Sequence, residues 1–348
     1  MNATRNLKNA FRRFLSRLRP PRCALPGASR HPIVAMLTTC ACASAINATA
    51  QTWPSRPIRM IVPFATGGGT DIQARLFGAK LYPALGQTVI VDNRPGGGGN
   101  IGAELVAKAP PDGYMVLFQS ASIAVNQTLY SKLNYSAVRD LAPVLLVSST
   151  PLILVTHPSV PARTVKDLIA LAKAKPDIFN FGSNSTGSTS HLAAELTKTT
   201  TGVKMTHIPY KGSGQATIAL LGGEIDMLFS TLPPAAQHVR NGKLRGLAVT
   251  TLKRSAAMPD VPTMNDTLKG FEMDNWYGMF FPANTARDII SRYHAEMMKV
   301  LQDRDVRALM EKDGSEPLGS TLEEFGAYFK REVDKYAKVI KASGARAD

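Results

Sequence analysis

Ile58-Arg59-Met60-Ile61-Val62-Pro63-Phe64-Ala65-Thr66-Gly67-Gly68-Gly69-Thr70-Asp71 is the stretch from which the rest of the chain can be read. Ile58, Met60 and Val62 alternate as in a β-strand, and beyond the glycines Ile72, Leu76 and Ala79 recur at helical spacing. A strand that passes through a glycine-rich turn into a helix is the opening unit of an α/β fold. Three glycines let the backbone approach a ligand closely, and Thr70 followed by Gln73 reads as a capping box that fixes the helix start. Free N–H groups and the positive helix end then favour an anion, a carboxylate as well as a phosphate. The same residues also make a tight strand-to-helix turn that binds nothing.

Outward from this unit, Val89-Ile90-Val91 and Tyr114 to Phe118 read as further strands. After residue 150 the alternation resumes at Leu152 to Val155, Asn180-Phe181, Met205 to Ile208, Ile225 to Phe229 and Leu244 to Val249, separated by helical stretches such as Val165 to Ala174. Two α/β units built on parallel sheets are expected. The C-terminal part then reads as long helices. The last starts at the boxes Ser320–Glu323 and Thr321–Glu324, buries Phe325, Phe329, Val333, Tyr336 and Ile340, and stops at Gly344.

Two more turns carry polar or glycine-rich runs. Gly96-Gly97-Gly98-Gly99-Asn100-Ile101-Gly102 matches G-x-G-x-x-G, but four consecutive glycines make that match cheap. The strand that follows ends in Gln119-Ser120, not in the acid that a dinucleotide ribose requires, so a structural loop is expected. In the second unit, Gly182-Ser183-Asn184-Ser185-Thr186-Gly187-Ser188-Thr189-Ser190-His191 gathers hydroxyls and N–H groups at a helix start. Two such N-termini facing each other would hold a small anion with neutral donors; a serine-rich cap and loop is the alternative.

The first fifty residues stand apart. They hold eight of the 41 Lys and Arg, none of the 26 Asp and Glu, and Cys23, Cys40 and Cys42, the full complement of cysteine. Arg12, Arg13, Arg17, Arg19 and Arg22 form a charged n-region, Pro32 to Ile46 an apolar stretch, and Ala48-Thr49-Ala50 a small-residue cleavage signal. A signal peptide over residues 1–50 is expected, cleaved near Ala50/Gln51, with export to the periplasm. Without it, 33 basic residues face 26 acidic ones and the formal charge falls from +15 to +7. That excess is spread along the chain with no basic run interleaved with aromatics, so no nucleic-acid partner is expected. A cysteine-free mature chain excludes disulfides, thiolate catalysis and Cys-ligated metal.

Catalytic constellations are missing: no G-x-S-x-G elbow, no H-E-x-x-H, no phosphate-binding G-x-x-x-x-G-K-[ST]. His157, His191, His207, His238 and His294 have no metal-ligand spacing, so neither metal nor cofactor is expected. Asp226, in Glu224-Ile225-Asp226-Met227, reads either as a contact to a ligand amine or as a strand-end structural carboxylate.

Several motifs in order resemble one family. Ile61-Val62-Pro63-Phe64 through Asp71, Asp92-Asn93-Arg94-Pro95-Gly96 through Gly102, Pro111-Asp112-Gly113-Tyr114, His207-Ile208-Pro209-Tyr210-Lys211-Gly212 and Leu221-Gly222-Gly223-Glu224-Ile225-Asp226 look like the Bug receptors. These are the extracytoplasmic solute-binding components of tripartite tricarboxylate transport systems, and the resemblance covers residues 53 to 345. It implies an α/β, two-domain periplasmic binding protein fold, type II-like, with the ligand cleft between domains joined by hinge strands. Domain 1 would comprise residues 51–152 and 250–348 and domain 2 residues 153–249, with crossings near Leu152 to Val155 and Leu247 to Thr250.

The family grips a carboxylate with two loops. Their counterparts here give Phe64, Ala65, Gly67, Gly68, Gly69, Thr70 and Asp71 on one side and Ser183, Thr186, Gly187, Ser188, Thr189 and His191 on the other, joined by Ser120 and Asp226. Thr66 and Ser230 depart from the family's usual residues, which bears on ligand choice. The expected protein is a non-catalytic, monomeric receptor that passes a small carboxylated solute to membrane permease subunits of a tripartite tricarboxylate transporter. The other classes are a sensor that presents its bound state to a signalling partner, and a secreted enzyme.

Overall fold

The computed structural model describes residues 53–343 and 346–347. The expected leader and the helix stop at Gly344 lie outside these residues. In chain order the elements are β1 (Ile58–Val62), α1 (Gly69–Leu85), β2 (Val89–Asn93), α2 (Asn100–Ala107), β3 (Met115–Ser120), α3 (Ser122–Leu129), α4 (Ala137–Asp140) and β4 (Leu141–Thr156). Then come α5 (Val165–Ala174), β5 (Asn180–Ser183), α6 (Thr189–Thr201), β6 (Thr206–Pro209), α7 (Ser213–Leu221), β7 (Met227–Thr231), α8 (Leu232–Arg240) and β8 (Arg245–Val249). The last are α9 (Met264–Thr267), β9 (Asp274–Pro282), α10 (Arg287–Gln302), α11 (Arg304–Lys312), β10 (Glu316–Pro317) and α12 (Leu322–Ser343). Among the described residues no helix is long and apolar enough to cross a membrane.

The strands run in the order β2-β1-β3-β9-β4-β7-β5-β6, with β8 and β10 also paired to β4. β1 is parallel to β2 and β3, and β5 to β6 and β7, as the alternating pattern requires. The sheet as a whole is mixed, which corrects the expectation of parallel sheets followed only by helices. β9 lies antiparallel between β3 and β4. From Asn275 through Pro282 it is buried on both faces, so its sequence is a continuous apolar run without the alternation that betrays a half-buried strand.

β4 organises the molecule. Its Leu141–Pro151 portion pairs with β9, and from Leu152 onward it pairs with β7 and β8 instead. One strand therefore belongs to two half-sheets, each covered by its own helices. Gly278 of β9 admits the ring of Phe325 from α12, since a Cβ there would lie 2.3 Å from Phe325 Cζ. Trp276, Phe280, Phe325 and Phe329 form one aromatic cluster, and Trp276 Nε1 donates to Glu332 at 3.0 Å. The box at α12 is Thr321 with Glu324 alone. Ser320 Oγ instead accepts from Leu146 N–H, and Glu323 pairs with Arg287.

Candidate functional site

Strand direction places the site. The carboxyl ends of β1, β5, β6 and β7 each lead within a few residues into a helix, so the N-termini of α1, α6, α7 and α8 gather at the junction of the half-sheets. The first N–H groups of a helix have no partner within it. At α1, α7 and α8 no side chain caps them, and only α6 has a side-chain cap, Ser188 Oγ accepting from His191 N–H. Pro233 and Pro234 remove two donors from α8, leaving α1, α6 and α7 as the main sources of backbone N–H.

These helix ends enclose a cavity of about 10 Å³, the space of a single water. Its wall includes Phe64, Gly68, Gly69, Thr70, Ser120, Ser188 and Thr189, all of them expected from sequence. Asn184, Ser213, Thr231, Asn275 and Tyr277 also line it and were missed. Asn184 lay inside the serine-rich run and Ser213 just past the Tyr210-Lys211-Gly212 motif. Asn275 and Tyr277 carried no signal, because their strand was itself unrecognised. No charged side chain is among the lining residues. Asn184 Oδ1 is buried without a partner, and the Tyr277 hydroxyl sits beside Thr70 and Asn275 without a well-formed hydrogen bond; burial raises its pKa.

Hydroxyls expected to meet the ligand are already committed. Ser188 Oγ donates to Ser185 O at 2.7 Å, and Thr189 Oγ1 donates to Asn275 Oδ1 at 2.7 Å. Gln73 closes no capping box with Thr70. It joins Ser148, Thr150 and Ser315 in a buried network, and the N-cap of α1 is Gly68.

The expected acidic contacts do not reach the cavity. Asp71 accepts from Gly67 N–H, Arg75 and Asn93. Burial works to raise its pKa, but those hydrogen bonds outweigh it and hold the carboxyl below its ordinary value. Its role is to clasp the glycine turn to α1 and β2. Asp226 precedes β7, at the end of that strand remote from Thr231, and accepts from Asn180 N–H at 2.7 Å. That bond is the contact expected of a strand-end carboxylate.

Ala65, Gly67, Ser183, Gly187 and His191 are not among the residues that line the cavity. Ala65 N–H donates to Lys211 O at 2.8 Å across the junction. Ser183 Oγ bonds His207 Nε2 at 2.6 Å, His191 Nδ1 accepts from Gly187 N–H, and the two imidazoles stack with centroids 4.0 Å apart beneath the α6 turn. Burial first, with Lys198 adding, lowers the pKa of His191 to about 4; burial first, then the His191 charge, lowers that of His207 to about 3. Both rings are neutral near pH 7. A larger groove of about 430 Å³ lies behind the β4 crossing, but its wall mixes Lys253 and Arg254 with Glu311 and Glu316 and does not select an anion.

An α/β fold with helix N-termini converging on a cavity lined by no charged side chain has the architecture of a periplasmic binding protein. The chain belongs to the tripartite tricarboxylate transporter family of receptors, whose pattern matches residues 74–345. It is 38% identical over 301 residues to protein BugT of Bordetella pertussis, covering 86% of this chain and 92% of that one. An R. palustris protein solved with adipate is 33% identical with a TM-score of 0.82, covering 84% of this chain and 99% of its own. MatC from Rhodopseudomonas palustris, solved with malate, is 28% identical with a TM-score of 0.77, covering 83% and 100%. The family is one of solute-binding receptors, not of enzymes.

Proposed function

We propose that this receptor captures a small carboxylate at the ends of α1, α6 and α7 and delivers it to the permease subunits of a tripartite tricarboxylate transporter. The observation that carries the reading is the convergence of helix N-termini on a cavity whose lining has no charged side chain. Backbone N–H groups and helix dipoles stabilise an anion there without a buried Arg or Lys. No Asp or Glu lines the cavity to pair with an α-ammonium, which favours carboxylates lacking one. Adipate and malate in the similar structures belong to that chemistry.

A cavity the size of one water admits no carboxylate until its walls separate. The hinge we infer lies where β4 changes partners and at the return near Leu247 to Thr250, between a lobe of residues 51–152 and 250–348 and a lobe of residues 153–249. Export follows cleavage near Ala50/Gln51, and the receptor acts as a monomer. Intact mass of the exported protein checks the cleavage.

A thermal-shift screen of mono-, di- and tricarboxylates, amino acids and aromatic acids tests the function. A ligand at a hundredfold excess over Kd adds about 2.7 kcal/mol, expected here as a rise in Tm of roughly 5 °C or more. At least one carboxylate should give it, and the matching amide should not. A shift produced only by a nucleotide or a sugar would refute the anion clamp.

A further inference from the structure

At the crossing, β4 separates two spaces. Strand alternation points Ser148 and Thr150 to one face and Ser149 and Pro151 to the other. The cross-strand partners of Ser148 and Thr150 are Tyr277 and Asn275, which line the cavity. Ser149 and Pro151 line the groove of about 430 Å³. Cavity and groove therefore lie on opposite sides of one strand.

The two walls of the groove are held by different halves of the molecule. Lys253 and Arg254 stand on the segment 251–263, which follows the return near Thr250 but is tied to the elements before it. Val249 N–H donates to Pro262 O at 2.8 Å, Arg240 Nη2 donates to Ala257 O at 3.0 Å, and Met258 and Val261 share a core with Ile153, Leu232 and Val249. Glu311 and Glu316 stand on the opposite wall, where Met310 shares a core with Met60 and Val144 and Glu316 pairs with Ser149 of β4. The walls touch at Gly314, where a Cβ would lie 2.2 Å from Leu232 Cδ2 and 3.1 Å from Ser255 Oγ; the next residue, Ser315, bonds Thr150 Oγ1 at 2.9 Å. All four charged side chains are exposed. Lys253, Glu311 and Glu316 form no ion pair among the described residues, and Arg254 donates to Pro259 O.

Building on the hinge proposed at β4, we infer that the groove is a counterpoise to the solute cavity: it widens as the halves close, and when they part its basic and acidic walls come together and hold the solute-free receptor open. Rotation about a strand that separates two gaps narrows one as it widens the other. The contact at Gly314 lies against that strand and serves as the pivot. Each exposed pair across the groove contributes little, but open and closed states lie close in free energy, so pairs of this size set their ratio and with it the apparent solute affinity.

Single-molecule energy transfer on the solute-free receptor tests the assignment. Residues 51–348 contain no cysteine, so one introduced at an exposed position of each half carries a dye pair. The wild type should show an open and a closed state. Ala256→Trp, which fills the groove, should shift their ratio toward the closed state about ten- to hundredfold. Glu311→Lys with Glu316→Lys sets like charges against each other and should shift it the same way, about two- to fivefold for each pair lost. Reversing the other wall as well, with Lys253→Glu and Arg254→Glu, should restore the wild-type ratio. Added salt should move the wild type toward closure and the Glu311→Lys, Glu316→Lys variant toward opening. Charge reversals that leave the ratio unmoved in a wild type showing both states would overturn the counterpoise, whatever the tryptophan does, and leave the hinge standing. A single state in the wild type and in every variant would overturn the hinge as well.

Discussion

Gly69 shows how a single position serves the site through space and not through backbone freedom. Its φ is not in the left-handed region; Gly67, two residues earlier, has φ 80° and nothing within 4 Å of where a Cβ would sit. A Cβ at Gly69 would lie 2.8 Å from Tyr277 Oη and 3.0 Å from Thr231 Oγ1. Gly69→Ala should therefore move the first turn of α1 off the anion position and weaken carboxylate binding about ten- to hundredfold, as for lost hydrogen bonds to a charge. Calorimetry on a variant whose unliganded Tm stays near wild type checks this, and unchanged affinity would separate α1 from the ligand. The glycine requirement was legible in the sequence, but its cause was not, because Tyr277 and Thr231 are distant in the chain.

At the scale of elements, α6 rests on the stacked rings of His191, His207 and Phe181. Both imidazoles have pKa values lowered from 6.5, to about 4 and about 3, with burial as the first cause. Above pH 6.5 neither state binds these protons, so the stability is fully present. As pH falls from 6.5 toward 4 and 3 the unfolded chain takes them up first and the folded state loses ground. Between pH 6.5 and 5 the loss should be about 2 kcal/mol, allowing for solvent screening of the part-exposed His207, or roughly 3–6 °C in Tm. Calorimetric scans across that range should show it, and His191→Gln should flatten the slope; an equally steep profile in the variant would place the acid sensitivity elsewhere. Neither histidine stood out by spacing, since β5, β6 and α6 bring them together only in the fold.

For the molecule as a whole, the junction is drawn tight by backbone meeting backbone. A Cβ on Gly214 of α7 would lie 2.9 Å from the carbonyl carbon and oxygen of Gly67, and one on Gly68 would lie 3.1 Å from Ser213 Oγ. Gly214→Val is expected to wedge the halves apart, so that a carboxylate which compacts the wild type in small-angle scattering no longer compacts the variant and binds at least about tenfold more weakly. A variant that compacts as the wild type does would show that these glycines do not limit closure. The local sequence by itself determined the strand–turn–helix units, the anion-favouring turns after β1 and β5 and the absence of enzyme motifs, because periodicity, glycine and capping residues act over a few positions. Only the tertiary structure decided that β9 inserts antiparallel at the sheet centre, that Asp71 and Asp226 bond to neighbouring donors and not to the cavity wall, and that α7 and α8 join the two expected helix ends. Those outcomes depend on contacts between residues far apart in the chain, and a strand buried on both faces leaves no alternation by which it could be read beforehand.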